Sequence, residues 1–330
     1  MRRIRCVRIM EAPVKRNRKR FLVTAALEHE KGGPLSALSR RHAAFALILA
    51  VGFFLLAFAL SAEVSEAAPD PFRPLKERLL KDGFSGPSIA RVYQGQPSVQ
   101  FKTVARTFEL RESKLNYDQF LNPSSIEKGR RFASEHRTAL RDAGQTYGVD
   151  PCVIVAILLV ETQFGSYTGK TPTVAVLSTF ALMDHKSYRD RIWAMLSPRE
   201  KARWGREAFD RKLMDRSDWA YREVCALVRL AEDRVRVESL RGSVMGAVGW
   251  PQFLPSSLVR YGADGNRDGR VDLFDPWDAC HSVANYLRGY GWCRARTREE
   301  KEKVIYQYNH SRPYVQTVLG IADRLQPCES

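Results

Sequence analysis

Glu161 is the side chain of this 330-residue sequence whose setting best suits acid–base chemistry. It directly follows an unbroken apolar run, residues 153–160, which starts shortly after Asp150 and Pro151, a pair that favours the start of a helix. A helix that is apolar on every side is buried, and Gly165 is placed to end it. Burial and the negative end of a helix both raise the pKa of a carboxyl group. The spacing predicts an acid that keeps its proton near neutral pH, as a general acid must; the alternative is a structural glutamate bonded to backbone.

A glycine-rich segment, residues 242–257, carries a second group of side chains suited to ligand binding. Its glycines let the backbone approach a ligand closely. The amide of Gln252 can donate and accept hydrogen bonds, which suits the hydroxyl and acetamido groups of a sugar. Trp250 and Phe253 either face sugar rings or belong to the core, and for Phe253 the core is favoured.

Residues 264–275 fit the twelve-position calcium loop of an EF-hand. Side-chain oxygens fall at most of the expected positions, and Gly269 stands where the loop must turn sharply. Position twelve is Asp275 instead of the usual Glu, and this shorter carboxylate predicts modest affinity. The alternative is a turn whose Asp and Asn side chains bond their own backbone. The predicted Ca²⁺ ligands are Asp264, Asn266, Asp268, Arg270 (through its carbonyl), Asp272 and Asp275.

Helical periodicity dominates the chain from Ser125 onward, whereas alternation with a period of two is scarce. We therefore predict a mainly α fold, with a helical core and a small N-terminal helical lobe, to position these groups. The predicted helices cover residues 126–147, 152–162, 174–181, 189–196, 199–213, 219–237, 256–261, 278–290, 298–309 and 314–326.

Three motifs resemble the lytic murein transglycosylase B family. The first is V-E-T-Q-F-G at 160–165, followed by Gly169 and Lys170; the second is G-A-x-G-x-x-Q-F-x-P-S within 242–257; the third is Y-N-x-S-x-x-Y at 308–314. The resemblance covers roughly residues 72–326. It implies a lysozyme-like core that cuts the glycan strands of bacterial cell wall, with a calcium loop after the second motif.

The resemblance also implies roles for individual residues. Glu161 takes the place of the single catalytic acid and base, and Ser243 would lie near the reacting sugar. Arg189 and Arg191 are candidates for further contacts with the glycan. The residues assigned to the saccharide site are Ser243, Gln252, Tyr308, Asn309 and Tyr117.

A single carboxyl in a motif of this kind favours lytic transglycosylation, because hydrolysing glycosidases generally use two carboxylates. The resemblance implies that Glu161 protonates the β-1,4 oxygen between N-acetylmuramic acid and N-acetylglucosamine and then helps to form a 1,6-anhydro ring. The alternatives are a hydrolytic muramidase and a non-catalytic peptidoglycan-binding protein. Peptidoglycan glycan strands are the expected partner, with cell-wall synthesis or division proteins as further candidates, and no organic cofactor is expected.

About half of the net charge of +16 lies in the N-terminal segment, since residues 1–41 hold 12 basic and 3 acidic side chains. The apolar run 43–60 and the small residues Ser65 and Ala67 are typical of a secretory signal. We predict a basic leader (1–41), whose true start codon could lie later, a signal peptide (42–67) and a catalytic domain (68–330) in the periplasm. The alternative is an inner-membrane anchor formed by 43–60. Nucleic-acid binding is not expected, since the remaining charge forms no basic stripe.

Five cysteines follow the apolar run. Cys152 lies in an apolar stretch and is expected to be a buried free thiol. In an exported protein the other four, Cys225, Cys280, Cys293 and Cys328, could form up to two disulfides, and the sequence leaves their pairing open.

Overall fold

The computed structural model describes residues 70–110, 116–233 and 235–326, which belong to one compact unit. The predicted leader (1–41) and signal or anchor (42–67) lie outside the described residues. Within the described part of the chain, no single helix is both long and apolar enough to cross a membrane. One pair of helices, Arg137–Tyr147 with Pro151–Thr162, passes that test on length and composition together but is bent by 116°.

The described residues form fourteen α-helices, which confirms the prediction of a mainly α fold. In chain order they are α1 (Arg73–Lys81), α2 (Gly86–Val92), α3 (Phe101–Arg106), α4 (Pro123–Glu135), α5 (Arg137–Tyr147), α6 (Pro151–Thr162), α7 (Thr173–Ala181), α8 (Lys186–Met195), α9 (Pro198–Trp204), α10 (Arg206–Glu232), α11 (Pro255–Tyr261), α12 (Pro276–Gly289), α13 (Arg298–Tyr308) and α14 (Arg312–Leu325).

Short 3₁₀ turns and two short strands connect these helices. The 3₁₀ turns are Tyr117–Phe120, Leu182–Asp184, Val237–Ser239 and Trp292–Arg294. The strands β1 (Thr171–Pro172) and β2 (Arg241–Gly242) pair antiparallel, with Thr171 opposite Gly242. This pairing holds the segment that follows α6 against the start of the glycine-rich segment.

Helix α6 is the buried helix that the apolar run predicts. Asp150 caps it by accepting a hydrogen bond from the amide of Cys152 at 2.8 Å, and every side chain from 152 to 159 is buried. The helix ends at Thr162, three residues before Gly165, because Gln163 and Phe164 already adopt positive φ angles of 48° and 58°. Helix α6 packs on α4, α5, α12 and α14, so the core surrounds it.

Two predicted helix boundaries are wrong. The predicted helix 126–147 is divided at His136, whose ring packs 4.5 Å from that of Phe132. The predicted break between 213 and 219 is absent, and the chain divides instead at Gly205, which has a φ of 66°. Ser217 explains why α10 continues through a polar stretch, since its buried hydroxyl donates to the carbonyl of Ala181 at 2.8 Å.

The cysteine predictions are also corrected by the structure. Cys152 is buried as expected but is disulfide-bonded rather than a free thiol. Cys225, Cys280 and Cys293 are free thiols, so no disulfide joins any two of the four cysteines predicted to pair. They lie on separate elements, and the Cys293 thiol donates instead to the carbonyl of Tyr147 at 2.9 Å.

Candidate active site

Glu161 and Tyr314 form the centre of the candidate site. The hydroxyl of Tyr314, in the first turn of α14, donates a hydrogen bond of 2.7 Å to Oε1 of Glu161, in the last turn of α6. Desolvation raises the pKa of Glu161 to about 7, against the hydrogen bond from Tyr314, which lowers it. The carboxyl is thus poised to give and to take a proton at neutral pH. Tyr314 occupies Oε1 and leaves Oε2 for a second partner.

Two further tyrosines surround Tyr314. The ring of Tyr117 meets it edge-on at 6.1 Å, and the ring of Tyr308 lies nearly parallel to it at 6.4 Å. Tyr308 also donates a hydrogen bond of 2.5 Å to the carbonyl of Pro251. The structure therefore brings Tyr117 and Tyr308, both assigned to the site from the sequence, to the side chain that contacts Glu161. The role of Tyr314 was missed, although its place in the third motif was a signal.

Gln252 is held in one orientation by its neighbours. Its backbone adopts a positive φ of 50°, and its Nε2 donates to the carbonyls of Thr168 and Gly249 at 3.2 and 2.9 Å. Both amide hydrogens are thereby engaged, so the group left for a ligand is the acceptor Oε1. The sequence predicts an amide that both donates to a ligand and accepts from it, and the structure leaves only the acceptor.

Ser243 differs from Gln252 in the group that it leaves for a ligand. Its Oγ accepts hydrogen bonds from the amides of Met245 and Ala247 at 3.2 and 3.1 Å. The hydroxyl hydrogen remains available, so Ser243 is a donor toward a ligand. Ser243 follows β2, where Gly242 lies so close to Gly169 that a Cβ on Gly169 would stand 2.2 Å from the Gly242 carbonyl oxygen. The loop that follows α6 and the loop that carries Ser243 are therefore in direct backbone contact.

The remaining predicted residues have mixed environments. Asn309 directly follows α13, is half-buried, and accepts a hydrogen bond at its carbonyl from the amide of Ser311 at 2.7 Å. Phe253 is only 3% exposed, which confirms its assignment to the core. Trp250 is half-buried, with its ring 6.0 Å from that of Phe132, so it also serves the packing of the site.

Arg189 is engaged within the fold rather than left for a glycan. Its Nη1 donates to the carbonyls of Met183 and Asp184, and its Nε donates to Asp210 at 3.2 Å. Its side chain is only 11% exposed. The guanidinium of Arg191 lies 4.5 Å from the ring of Phe101. A structural role therefore accounts for Arg189, the first of the two arginine candidates.

The predicted calcium loop is folded around its own backbone amides. Gly269 has the positive φ of 87° that its sharp turn requires, and helices α11 and α12 flank the loop. Asp278, which the sequence did not single out, is buried and accepts hydrogen bonds from three loop amides. Among the described residues, no three His, Cys, Asp or Glu side chains cluster as metal ligands do. The predicted ligands whose side chains instead accept from backbone amides are Asp264, Asn266, Asp268, Asp272 and Asp275, and the amide of Arg270 donates to Asp268.

Residues 68–301 match the family model described as the transglycosylase SLT domain. The membrane-bound lytic murein transglycosylase B of Escherichia coli K12 is 34% identical over 176 residues, which are 53% of this chain and 41% of that protein. This chain therefore aligns with less than half of the length of that relative.

Two solved structures share the fold. The lytic transglycosylase Slt35 of Escherichia coli in complex with calcium matches with a TM-score of 0.58 and 20% identity, over 78% of this chain and 92% of its own. SltB3 of Pseudomonas aeruginosa in complex with NAG-NAM-pentapeptide matches with a TM-score of 0.61 and 19% identity, over 78% of this chain and 79% of its own. These likenesses confirm the predicted lysozyme-like fold.

Proposed function

The chain belongs to the transglycosylase SLT domain family, and from this premise we propose that it is a peptidoglycan lytic transglycosylase. It cleaves the β-1,4 bond between N-acetylmuramic acid and N-acetylglucosamine and leaves a 1,6-anhydromuramic end. The observation that carries this proposal is the carboxyl of Glu161, which has a pKa of about 7 and a hydrogen bond from Tyr314. A group with that pKa serves in turn as acid and as base.

In the first step, protonated Glu161 gives its proton to the glycosidic oxygen, and the bond from that oxygen to the anomeric carbon breaks. The hydrogen bond from Tyr314 stabilises the carboxylate that this step creates, because a donor favours the charged form of its acceptor. The neighbouring acetamido group supports the positive anomeric carbon. The hydroxyl of Ser243, free to donate, holds an oxygen of the reacting sugar.

In the second step, the carboxylate of Glu161 takes the proton from the C6 hydroxyl of the same muramic acid. The C6 oxygen then bonds to the anomeric carbon and closes the anhydro ring. Glu161 is protonated again by the proton from the C6 hydroxyl, and no water is consumed. One carboxyl therefore suffices, whereas hydrolysis generally needs two.

The glycan lies against the groups gathered around Tyr314. Tyr117 and Tyr308 offer aromatic faces to sugar rings, and Gln252 offers its Oε1 as an acceptor. The side chain of Asn309, next to Tyr308, supplies a further polar contact. The binding of NAG-NAM-pentapeptide by SltB3, which shares this fold, supports a peptidoglycan strand as the ligand.

The products of wall digestion test the reaction directly. When the protein digests purified sacculi in ¹⁸O-labelled water, we expect soluble muropeptides with 1,6-anhydro ends and no ¹⁸O, measured by mass spectrometry. Reducing ends that carry ¹⁸O would show a hydrolytic muramidase instead. Binding to sacculi without release of fragments would show a non-catalytic peptidoglycan-binding protein.

We further propose that the loop 264–275 binds Ca²⁺ as a structural ion. The oxygen-bearing side chains and the turn at Gly269 suit this ion, and Slt35 has been solved in complex with calcium.

A ligand present at a hundredfold excess over its Kd stabilises the folded state by ~2.7 kcal/mol. We therefore expect the melting temperature of the protein with Ca²⁺ to be roughly 5–10 °C higher than that of the protein with a chelator. Mg²⁺ is the control ion, Asp264→Ala should abolish the rise, and an unchanged wild type would refute the site.

We propose the periplasm as the compartment, reached through a signal at 42–67 behind the basic leader 1–41, with residues 68–330 as the catalytic domain. The alternative is that the run 43–60 is retained as an inner-membrane anchor, in keeping with the name of the membrane-bound relative. Cell-wall synthesis or division proteins are the candidate protein partners.

A further inference from the structure

The glycine-rich segment enters helix α11 without a cap of its own. The residue at the cap position is Leu254, whose side chain cannot accept a hydrogen bond, and Pro255 at the first helical position has no amide hydrogen. The first amide that needs an acceptor is therefore that of Ser256. An acceptor from elsewhere in the fold must hold this end of the segment.

Glu223, in the middle of α10, supplies that acceptor. Its Oε2 accepts from the amide of Ser256 at 2.9 Å, and its Oε1 accepts from the hydroxyl of the same residue at 2.8 Å. Glu223 is only 4% exposed. Burial of a carboxylate is unfavourable unless it is hydrogen-bonded, and these two bonds engage both of its oxygens. The negative charge is also favourable at the start of a helix.

We propose that Glu223 is a positioning residue for the saccharide site, an inference that rests on the function proposed above. Ser256 lies four residues after Gln252, and the chain between them is stiff. The backbones of Val248 and Phe253 exchange two hydrogen bonds, of 2.8 and 3.0 Å, and the ring of Phe253 is buried. A displacement of Ser256 is therefore passed to Gln252, whose amide must reach Thr168 to keep its orientation.

The chain offers variants that separate positioning from simple stability. Glu223→Ala leaves the amide of Ser256 without its acceptor. Glu223→Gln can keep both bonds, because its amide oxygen accepts from the Ser256 amide while its nitrogen donates to the Ser256 hydroxyl. The matched control is Glu200→Ala, since Glu200 is also a buried glutamate but pairs with Arg203 in α9.

The first measurement is hydrogen exchange at the amides of Val248 and Phe253, which requires no substrate. We expect Glu223→Ala to speed this exchange by about tenfold or more, since the loss of an anchor favours local opening. Glu223→Gln should restore wild-type exchange, and Glu200→Ala should leave it unchanged. Unchanged exchange in Glu223→Ala, or an equal increase in Glu200→Ala, would overturn the proposal.

The second measurement is the binding of isolated, uncross-linked glycan strands to proteins that also carry Glu161→Gln, which prevents cleavage. We expect Glu223→Ala to weaken binding several-fold, and in the otherwise native enzyme to raise KM more than it lowers kcat. Faster loop exchange with undiminished glycan affinity would refute a role in saccharide positioning. A native protein that binds glycan but releases no fragment would contradict the proposed activity and leave this role of Glu223 standing.

Discussion

Glu161→Gln lowers the rate of fragment release from purified sacculi by at least about 10³-fold, the range expected for loss of a general acid and base. Glutamine keeps the shape of the side chain, and its amide oxygen can still accept from Tyr314. It cannot give a proton to the glycosidic oxygen or remove one from the C6 hydroxyl, so both steps fail. The measurement is the initial rate of muropeptide release, quantified by chromatography.

The stability of Glu161→Gln is the control for this result. Desolvation raises the pKa of Glu161 to about 7, so the fold favours the neutral carboxyl. Wild-type stability therefore falls as the pH rises from the unfolded pKa of ~4.3 through 7, because the desolvated carboxyl must ionise in the folded state. The variant should melt no lower than wild type at pH 8, and its relative advantage should shrink at pH 5. A folded variant that keeps a tenth of the activity would show that another group is the acid.

The same carboxyl sets the pH dependence of the wild-type enzyme. The first step needs the protonated form, so kcat/KM should fall as the pH rises above about 7. The hydrogen bond from Tyr314 lowers this pKa. Tyr314→Phe should therefore move the alkaline limb to higher pH. Tyr308→Phe is the matched control, since its hydroxyl donates to Pro251 and not to Glu161, and an equal shift in both variants would contradict this account.

The raised pKa of Glu161 could be predicted from the sequence because the setting of this residue is local. The apolar run, the cap at Asp150 and the turn after Thr162 all lie within one stretch of chain, and together they predict both burial and a raised pKa. The same is true of Phe253, whose assignment to the core is confirmed. Residues within a single motif could be predicted because their chemistry depends on their immediate neighbours.

Contacts between distant elements could not be predicted in this way. Tyr314 reaches Glu161 across 153 residues of chain, and Glu223 reaches Ser256 from a different helix. The polar stretch after Leu213 signalled a break, but the buried hydroxyl bond of Ser217 keeps the helix continuous. Each of these hydrogen bonds depends on how distant elements pack together, and the spacing of residues along the chain does not specify which of them meet.

Gly169→Ala is expected to reduce both stability and activity, because the added methyl group would clash where the loop after α6 contacts the loop of Ser243. Gly169 has a φ of 87°, and an added Cβ would lie 2.2 Å from the carbonyl oxygen of Gly242 and 2.8 Å from the amide nitrogen of Ser243. Both neighbours are backbone and cannot rotate away. The pair β1–β2 must separate, and Ser243 must move relative to Glu161. A misplacement of about 1 Å can reduce catalysis by about 10²-fold.

Gly83→Ala separates this clash from backbone strain alone. Gly83 has nearly the same φ, 90°, but a Cβ there would meet nothing within 4 Å. An alanine in the left-handed region costs ~1–2 kcal/mol in either place, whereas the clash at Gly169 adds roughly 1–3 kcal/mol. We therefore expect a clearly larger fall in melting temperature for Gly169→Ala, and a loss of kcat/KM in that variant alone. Equal melting temperatures with full activity in both would mean that the loop after α6 and the loop of Ser243 are not rigidly joined, and the distance between acid and sugar would then have to be fixed by Tyr308 and Tyr314 instead.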